Sequence, residues 1–134
     1  MTASLDALNG SIPPLVTPFR NGEVDYEAYA WLIDHQIKHG SHGILVNGTT
    51  AEPSSLSVEE RNRLVEVAVQ VAAKRVPMVA ATGSQSLGET KQLTERCALE
   101  ELHDDGVALA ELSDLVGLHH VAMVEACCEP RLVE

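Results

Sequence analysis

His42-Gly43-Ile44-Leu45-Val46-Asn47-Gly48-Thr49-Thr50 and, a short Ser-containing loop later, Ser57-Val58-Glu59-Glu60-Arg61 form the stretch whose reading decides the fold. The apolar run 42–46 is too short for a helix and reads as a buried strand, closed by the turn signal Asn47-Gly48. Ser57 begins a helix. Its hydroxyl can accept from the amide three residues on, while Glu60 reaches back to the Ser57 amide, which is a capping box. Leu64, Val67, Ala68 and Val71 then recur at three- and four-residue spacing as one apolar stripe that ends near Arg75. Strand, turn and capped helix make one βα unit.

The same unit recurs on both sides. Upstream, Ile12 to Phe19 reads as a strand whose prolines suit a strand start or a bend, followed by the turn Arg20-Asn21-Gly22-Glu23. Asp25 stands as N-cap of a helix from Tyr26 to His39, with Tyr29, Leu32, Ile33 and Ile37 as its apolar face and Gly40 at the C-terminal glycine position. Downstream, Val76 to Ala81 is the third strand, Thr82 to Ser86 its turn, and Glu89 to about Leu102 the third helix. Strands alternating with helices through short loops predict parallel pairing and right-handed crossovers.

Composition sets the outer limits. The 134 residues include 20 acidic and 9 basic side chains, a formal charge of −11. Such a balance argues against a sequence-independent nucleic-acid binder and against anionic membrane surfaces as partners. At 45% hydrophobic and 22% charged this is the composition of a soluble globular domain, and 3% aromatic content means a core of Ala, Val, Leu and Ile. Cys97, Cys127 and Cys128 make a poor disulfide framework, so reducing cytosol is the expected compartment. No secretory leader and no apolar run of membrane-spanning length is read, which also favours a cytoplasmic protein.

Residues 95–134 differ from the rest. They hold ten acidic and two basic residues, so eight of the eleven net negative charges lie there. The expected organisation is therefore a βα-repeat segment, 1–96, and a divergent, irregular acidic tail, 97–134. Within the tail a weak helix is predicted at Val107 to Leu112 and a strand-like run at Leu115 to Leu118.

Several motifs together resemble a known family. Gly10-Ser11-Ile12-Pro13-Pro14-Leu15-Val16-Thr17-Pro18-Phe19, Gly22-Glu23-Val24-Asp25, Gly48-Thr49-Thr50-Ala51-Glu52, Leu56, Glu59-Glu60-Arg61 and Ala81-Thr82-Gly83 match, in order and spacing, the front end of the dihydrodipicolinate synthase / N-acetylneuraminate lyase family. The resemblance spans roughly residues 10 to 96. It implies an α/β fold, the first three βα units of a (β/α)8 TIM barrel. The implied activity is that of a class I aldolase: a lyase that makes or breaks carbon–carbon bonds through a lysine Schiff base with pyruvate or a related 2-oxo acid, with no metal or organic cofactor.

In a parallel barrel the loops after the strand C-termini form the active face, which puts Gly48-Thr49-Thr50 at its mouth. By resemblance, Gly48, Thr49 and Thr50 bind the 2-oxo acid carboxylate, and Thr50 joins the hydroxyl relay that moves protons during imine formation. Without the surrounding match, Gly-Thr-Thr would be read as a βα turn with a hydroxyl cap. Ala51 replaces the family's usual glycine. Glu52 reads as a carboxylate tying the loop to the next helix, Thr82 and Gly83 as turn residues on the same rim, and Thr17-Pro18 as an element packed beneath the site.

The nucleophile is missing from the pattern. Imine chemistry needs a desolvated amine at a strand end. Lys38, Lys74 and Lys91, the three lysines, fall on the outer helices, and Tyr26 and Tyr29 belong to the first helix, leaving no relay tyrosine after a fourth strand. Leu112 to His120 faintly resembles the stretch leading into the family's lysine-bearing sixth strand, with His119 in the lysine's place. An out-of-frame or degenerate tail is the preferred explanation. Cys127-Cys128 with His119-His120 lack the separations of a metal site, Asp104-Asp105 read as a solvated charge run, and His35, His39 and His42 as surface groups.

A full barrel needs roughly 250 residues. Three open units leave strand edges and an inner sheet face bare, so the chain is expected to be inactive alone, and to form a homo-oligomer or to pair with a complementing barrel fragment. The alternative reading is a non-catalytic carboxylate-binding or assembly subunit that pairs with another barrel fragment.

Overall fold

The computed structural model describes residues 8–102, 107–110 and 123–126. Asn21 and Gly22 both take positive φ, 56° and 86°, the conformation that a two-residue hairpin turn requires. They join two short antiparallel strands, β1 (Phe19–Arg20) and β2 (Glu23–Val24), with Phe19 opposite Val24. The strand expected over Ile12 to Phe19 is cut down to one parallel bridge, Pro14 against Leu45. Leu15 donates its amide to the Leu45 carbonyl (2.9 Å) and Leu45 donates to the Pro13 carbonyl (3.1 Å). Pro13 and Pro14 have no amide hydrogen to extend the ladder.

Helix α1 (Tyr26–Lys38) starts where the Asp25 carboxylate accepts from the Ala28 amide at 3.0 Å. It ends at His39, with Gly40 following at φ +91°. Tyr29 and Ile33 are buried on its inner face. On its outer face Trp31 is 64% exposed and stacks on His35 (ring centroids 4.8 Å), which in turn lies 3.9 Å from the His39 ring. Helix α2 (Val58–Ala72) has both halves of the capping box: Glu60 N to Ser57 Oγ, 3.1 Å, and Ser57 N to the Glu60 carboxylate, 2.8 Å. It stops three residues before Arg75, because Ala73 and Lys74 turn into the left-handed region. The Arg75 guanidinium folds back onto the Val71 and Ala72 carbonyls and onto Asp34 of α1.

Strands β3 (Ile44–Val46) and β4 (Met78–Ala80) pair in parallel, Ile44 with Met78, Leu45 with Val79 and Val46 with Ala80. Leu15, Ile44, Val46, Met78 and Ala80 join Tyr29 and Ile33 of α1 and Leu64, Val65, Val67, Ala68 and Ala72 of α2 in one aliphatic core. Each fully buried Leu or Ile there contributes about 1.5–3 kcal/mol relative to exposure. Alternation turns the intervening residues to the other face: Val16 is half exposed, Leu45 partly covered and Val79 buried.

Helix α3 (Leu87–Leu102) follows β4. The tail departs from the expected irregular form in its described parts. Val107–Ala110, expected as the start of a weak helix, is strand β5, paired antiparallel with β6 (Met123–Ala126) in the register Val107 with Ala126 through Ala110 with Met123. Cross-strand pairing outweighs the helix preference of Ala and Leu at that site. β6 lies beside β4 and β5 beside α3, so the β4 edge expected to be bare has a neighbour. The run Leu115 to Leu118 lies outside the described residues. The described chain is α/β, and its strands form two-stranded pairs without closing a barrel.

Candidate functional site

Parallel pairing sends the loops after β3 and β4 out of the same end of the sheet. Asn47, at φ +57°, turns the chain out of β3. Gly48 is buried and extended, and Thr49–Ala51 then wind into one 3-10 turn closed by Ala51 N to Gly48 O (3.0 Å) and Glu52 N to Thr49 O (3.1 Å). Thr49 and Thr50 are exposed, and neither hydroxyl bonds another described residue. Thr17 sits below as expected: its hydroxyl donates to the Ala51 carbonyl at 2.9 Å.

Glu52 is exposed at φ +54°, and among the described residues its carboxylate ties nothing. The link to the next turn, Pro53–Ser55, runs through its backbone, with Ser55 N donating to Glu52 O at 2.9 Å. That corrects the expected side-chain tie. A left-handed residue directs the chain here, and such a turn needs no carboxylate.

Sequence reasoning passed over the buried polar group beneath these loops. Arg61, only 4% exposed, donates through one guanidinium nitrogen to the carbonyls of Ala81 (3.0 Å) and Gly83 (3.1 Å), on either side of Thr82. Its own carbonyl accepts from the Asn47 side-chain amide at 3.0 Å. Burial lowers the guanidinium pKa, an effect opposed by Cys97 and Glu89 nearby. Among the described residues, Arg61 Nε and Asn47 Oδ1 find no hydrogen-bond partner. Thr82 is fully buried, its hydroxyl 3.0 Å from that of Thr94, and is a turn residue as expected. The missed signal was spacing: Arg61 precedes Leu64 and Ala68 by three and seven residues, which puts a charge on the apolar stripe.

The lysines stand where the sequence placed them. Lys38 is 66% exposed and pairs with Asp34 at 2.6 Å, Lys91 is 74% exposed near Glu95 at 3.7 Å, and Lys74 is an exposed residue beyond α2. None stands at a strand end. Tyr29 is a core residue whose hydroxyl pKa is raised by burial, and Tyr26 lies half-buried on the same helix. The His42 ring accepts from the Ser11 amide at 3.1 Å. Among the described residues there is no group of three or more metal-ligating side chains, and no helix long and apolar enough to cross a membrane. Asp104, Asp105, His119, His120, Cys127 and Cys128 lie outside the described residues.

With this geometry in view, the chain can be set beside known proteins. It is 49% identical over 85 residues to the 4-hydroxy-tetrahydrodipicolinate synthase of Thermus thermophilus, covering 63% of this chain and 28% of that protein. The structure of N-acetylneuraminate lyase from Mycoplasma synoviae superposes with a TM-score of 0.69 at 28% identity, over 76% of this chain and 35% of the other. The chloride-inhibited dihydrodipicolinate synthase of Acinetobacter baumannii, solved in complex with pyruvate, gives a TM-score of 0.61 at 39% identity, over 65% of this chain and 30% of that one. The chain thus spans about a third of the length of these relatives. The profile of the dihydrodipicolinate synthetase family matches residues 7–107, three quarters of the sequence, and the chain belongs to that family.

Proposed function

We propose that this chain supplies the carboxylate anchor of a Schiff-base lyase acting on pyruvate or a related 2-oxo acid. Gly48, Thr49 and Thr50 hold the carboxylate, and Thr50 passes a proton during imine formation. The observation that carries this reading is the turn after β3: two exposed threonine hydroxyls, engaged by no other described residue, at the end of the sheet where βα loops gather. Thr17 fixes the turn from below, so the hydroxyls are presented on a braced loop.

The amine nucleophile is not among this chain's lysines. All three are solvent-exposed and none follows the C-terminal end of a strand, whereas an imine-forming lysine needs a desolvated site. The chain alone is therefore inactive in carbon–carbon chemistry and works with barrel strands that bring the amine, from a complementing segment or another subunit.

Incubation with pyruvate and borohydride, followed by intact-mass and peptide analysis, should leave Lys38, Lys74 and Lys91 unmodified. A reduced pyruvyl adduct on any of them overturns the assignment of the nucleophile. Grafted in place of the equivalent stretch of the Thermus thermophilus synthase, residues 8–102 should support turnover, and Thr50→Ala in that chimera should cost on the order of 100-fold or more in kcat/KM, the usual loss of a proton-transfer group. Full activity of the Thr50→Ala chimera would refute the anchor.

A further inference from the structure

Resting on the carboxylate-anchor reading, we propose that Arg61 is a positioning residue that ties the loop carrying Thr49 and Thr50 to the loop after β4: its guanidinium holds the β4 exit, and its main-chain carbonyl holds the Asn47 side chain. A buried guanidinium is costly, and Arg61 makes no ion pair among the described residues to offset that cost. An apolar side chain in the same place on the α2 stripe, next to Leu64 and Ala68, would avoid the desolvation penalty but leave the Ala81 and Gly83 carbonyls without their side-chain donor.

What Arg61 does is link three pieces of main chain. One guanidinium nitrogen holds the Ala81 and Gly83 carbonyls, so the exit of β4 is pinned on both sides of Thr82. The Arg61 carbonyl is held by the Asn47 side chain, and Asn47 is the left-handed residue that directs β3 into Gly48-Thr49-Thr50. The exits of neighbouring parallel strands are thereby set relative to each other by one planar group and one amide. A flexible ammonium at this position reaches fewer carbonyls and holds them with less directionality. Arg61 touches no substrate. It acts through the orientation of the two threonines.

Hydrogen exchange and amide NMR on the full chain test this, with Arg61→Met, Arg61→Lys and Asn47→Ala variants and pyruvate as the titrant. Arg61→Met should speed amide exchange about tenfold or more in 81–84, whose carbonyls the guanidinium holds, and less in 48–52, which is held through the Arg61 main-chain carbonyl, while α1, residues 26–38, exchanges as in the parent chain. Arg61→Lys should fall between the two. Asn47→Ala should loosen 48–52 and leave 81–84 protected. In the parent chain the Thr49 and Thr50 amides should shift saturably with pyruvate, and Asn47→Ala should weaken that response about tenfold, with Arg61→Met weakening it less. Exchange that rises equally in α1, or does not rise at all, overturns the positioning role. If Arg61→Met fails to fold, Asn47→Ala decides: selective loosening of 48–52 upholds the coupling and its absence refutes it. A parent chain that ignores pyruvate refutes the anchor reading, while the exchange pattern still judges the coupling by itself.

Discussion

Thr17→Val removes one hydroxyl and almost no volume, and it isolates the bond that carries the Thr49–Ala51 turn. The Thr17 hydroxyl donates to the Ala51 carbonyl at 2.9 Å, at a residue only 2% exposed. Valine fills the same space and offers no donor, so the Ala51 carbonyl loses its side-chain partner in a place water reaches poorly. The net cost of such an orphaned acceptor is about 1–2 kcal/mol. With about 100 residues taking part, each kcal/mol lowers the midpoint of thermal unfolding by about 4–8 °C. Urea and thermal unfolding followed by circular dichroism measure both quantities. Thr17→Ser is the control, since it keeps the donor and loses only a methyl group. If Thr17→Val unfolds with the parent chain while Thr17→Ser is the weaker of the two, packing holds the turn and the hydrogen-bond argument fails.

Two further outcomes follow from local geometry. Ser57→Ala breaks one half of the capping box and should destabilise the chain by about 1 kcal/mol in the same unfolding assays; an unchanged midpoint would mean that α2 is held by its packed face alone. The Asp34 carboxyl is held below the usual carboxylate range by hydrogen bonds from Lys38 and Arg75, and that of Glu66 by Arg63 and then Arg96. Because both groups have lower pKa values folded than unfolded, their contribution is present above the unfolded carboxylate values, about 4, and is lost as the pH falls through the folded ones. Asp34→Asn with Glu66→Gln should flatten the fall of the unfolding midpoint across that acid range, and an undiminished fall would place the acid sensitivity elsewhere.

The βα rhythm was legible because each helix announced itself twice, once in its apolar stripe and once in its cap. Asp25 and Ser57 make the bonds their side chains predict, and β3 and β4 pair in parallel as the alternation of elements requires. Ends were less legible. Ala73 and Lys74 leave the helix through a left-handed pair that neither residue type advertises, and the strand over Ile12 to Phe19 shrank because two prolines cannot donate. The strand at Val107–Ala110 was hidden for another reason: its partner lies at Met123–Ala126, and pairing across that separation has no local signature.

At the site, the sequence located the threonine turn but missed what lies under it. A turn is written in neighbouring residues, whereas the bonds from Arg61 to Ala81 and Gly83 join elements twenty or more positions apart. In the sequence Arg61 is one more charge in a Glu-Glu-Arg helix start, and only its burial sets it apart. Glu52 erred in the opposite direction, since a carboxylate beside a loop invited a tie that the backbone already makes.

The placement of Trp31 governs how this chain can be watched in solution. As the sole indole in the sequence, set on the outer side of one helix against an imidazole, it reports the wetting of that ring stack, and consolidation of the aliphatic interior passes it by. Its emission should already be red-shifted in the native state. Fluorescence would then change little on unfolding, and ellipticity is the probe that follows the transition.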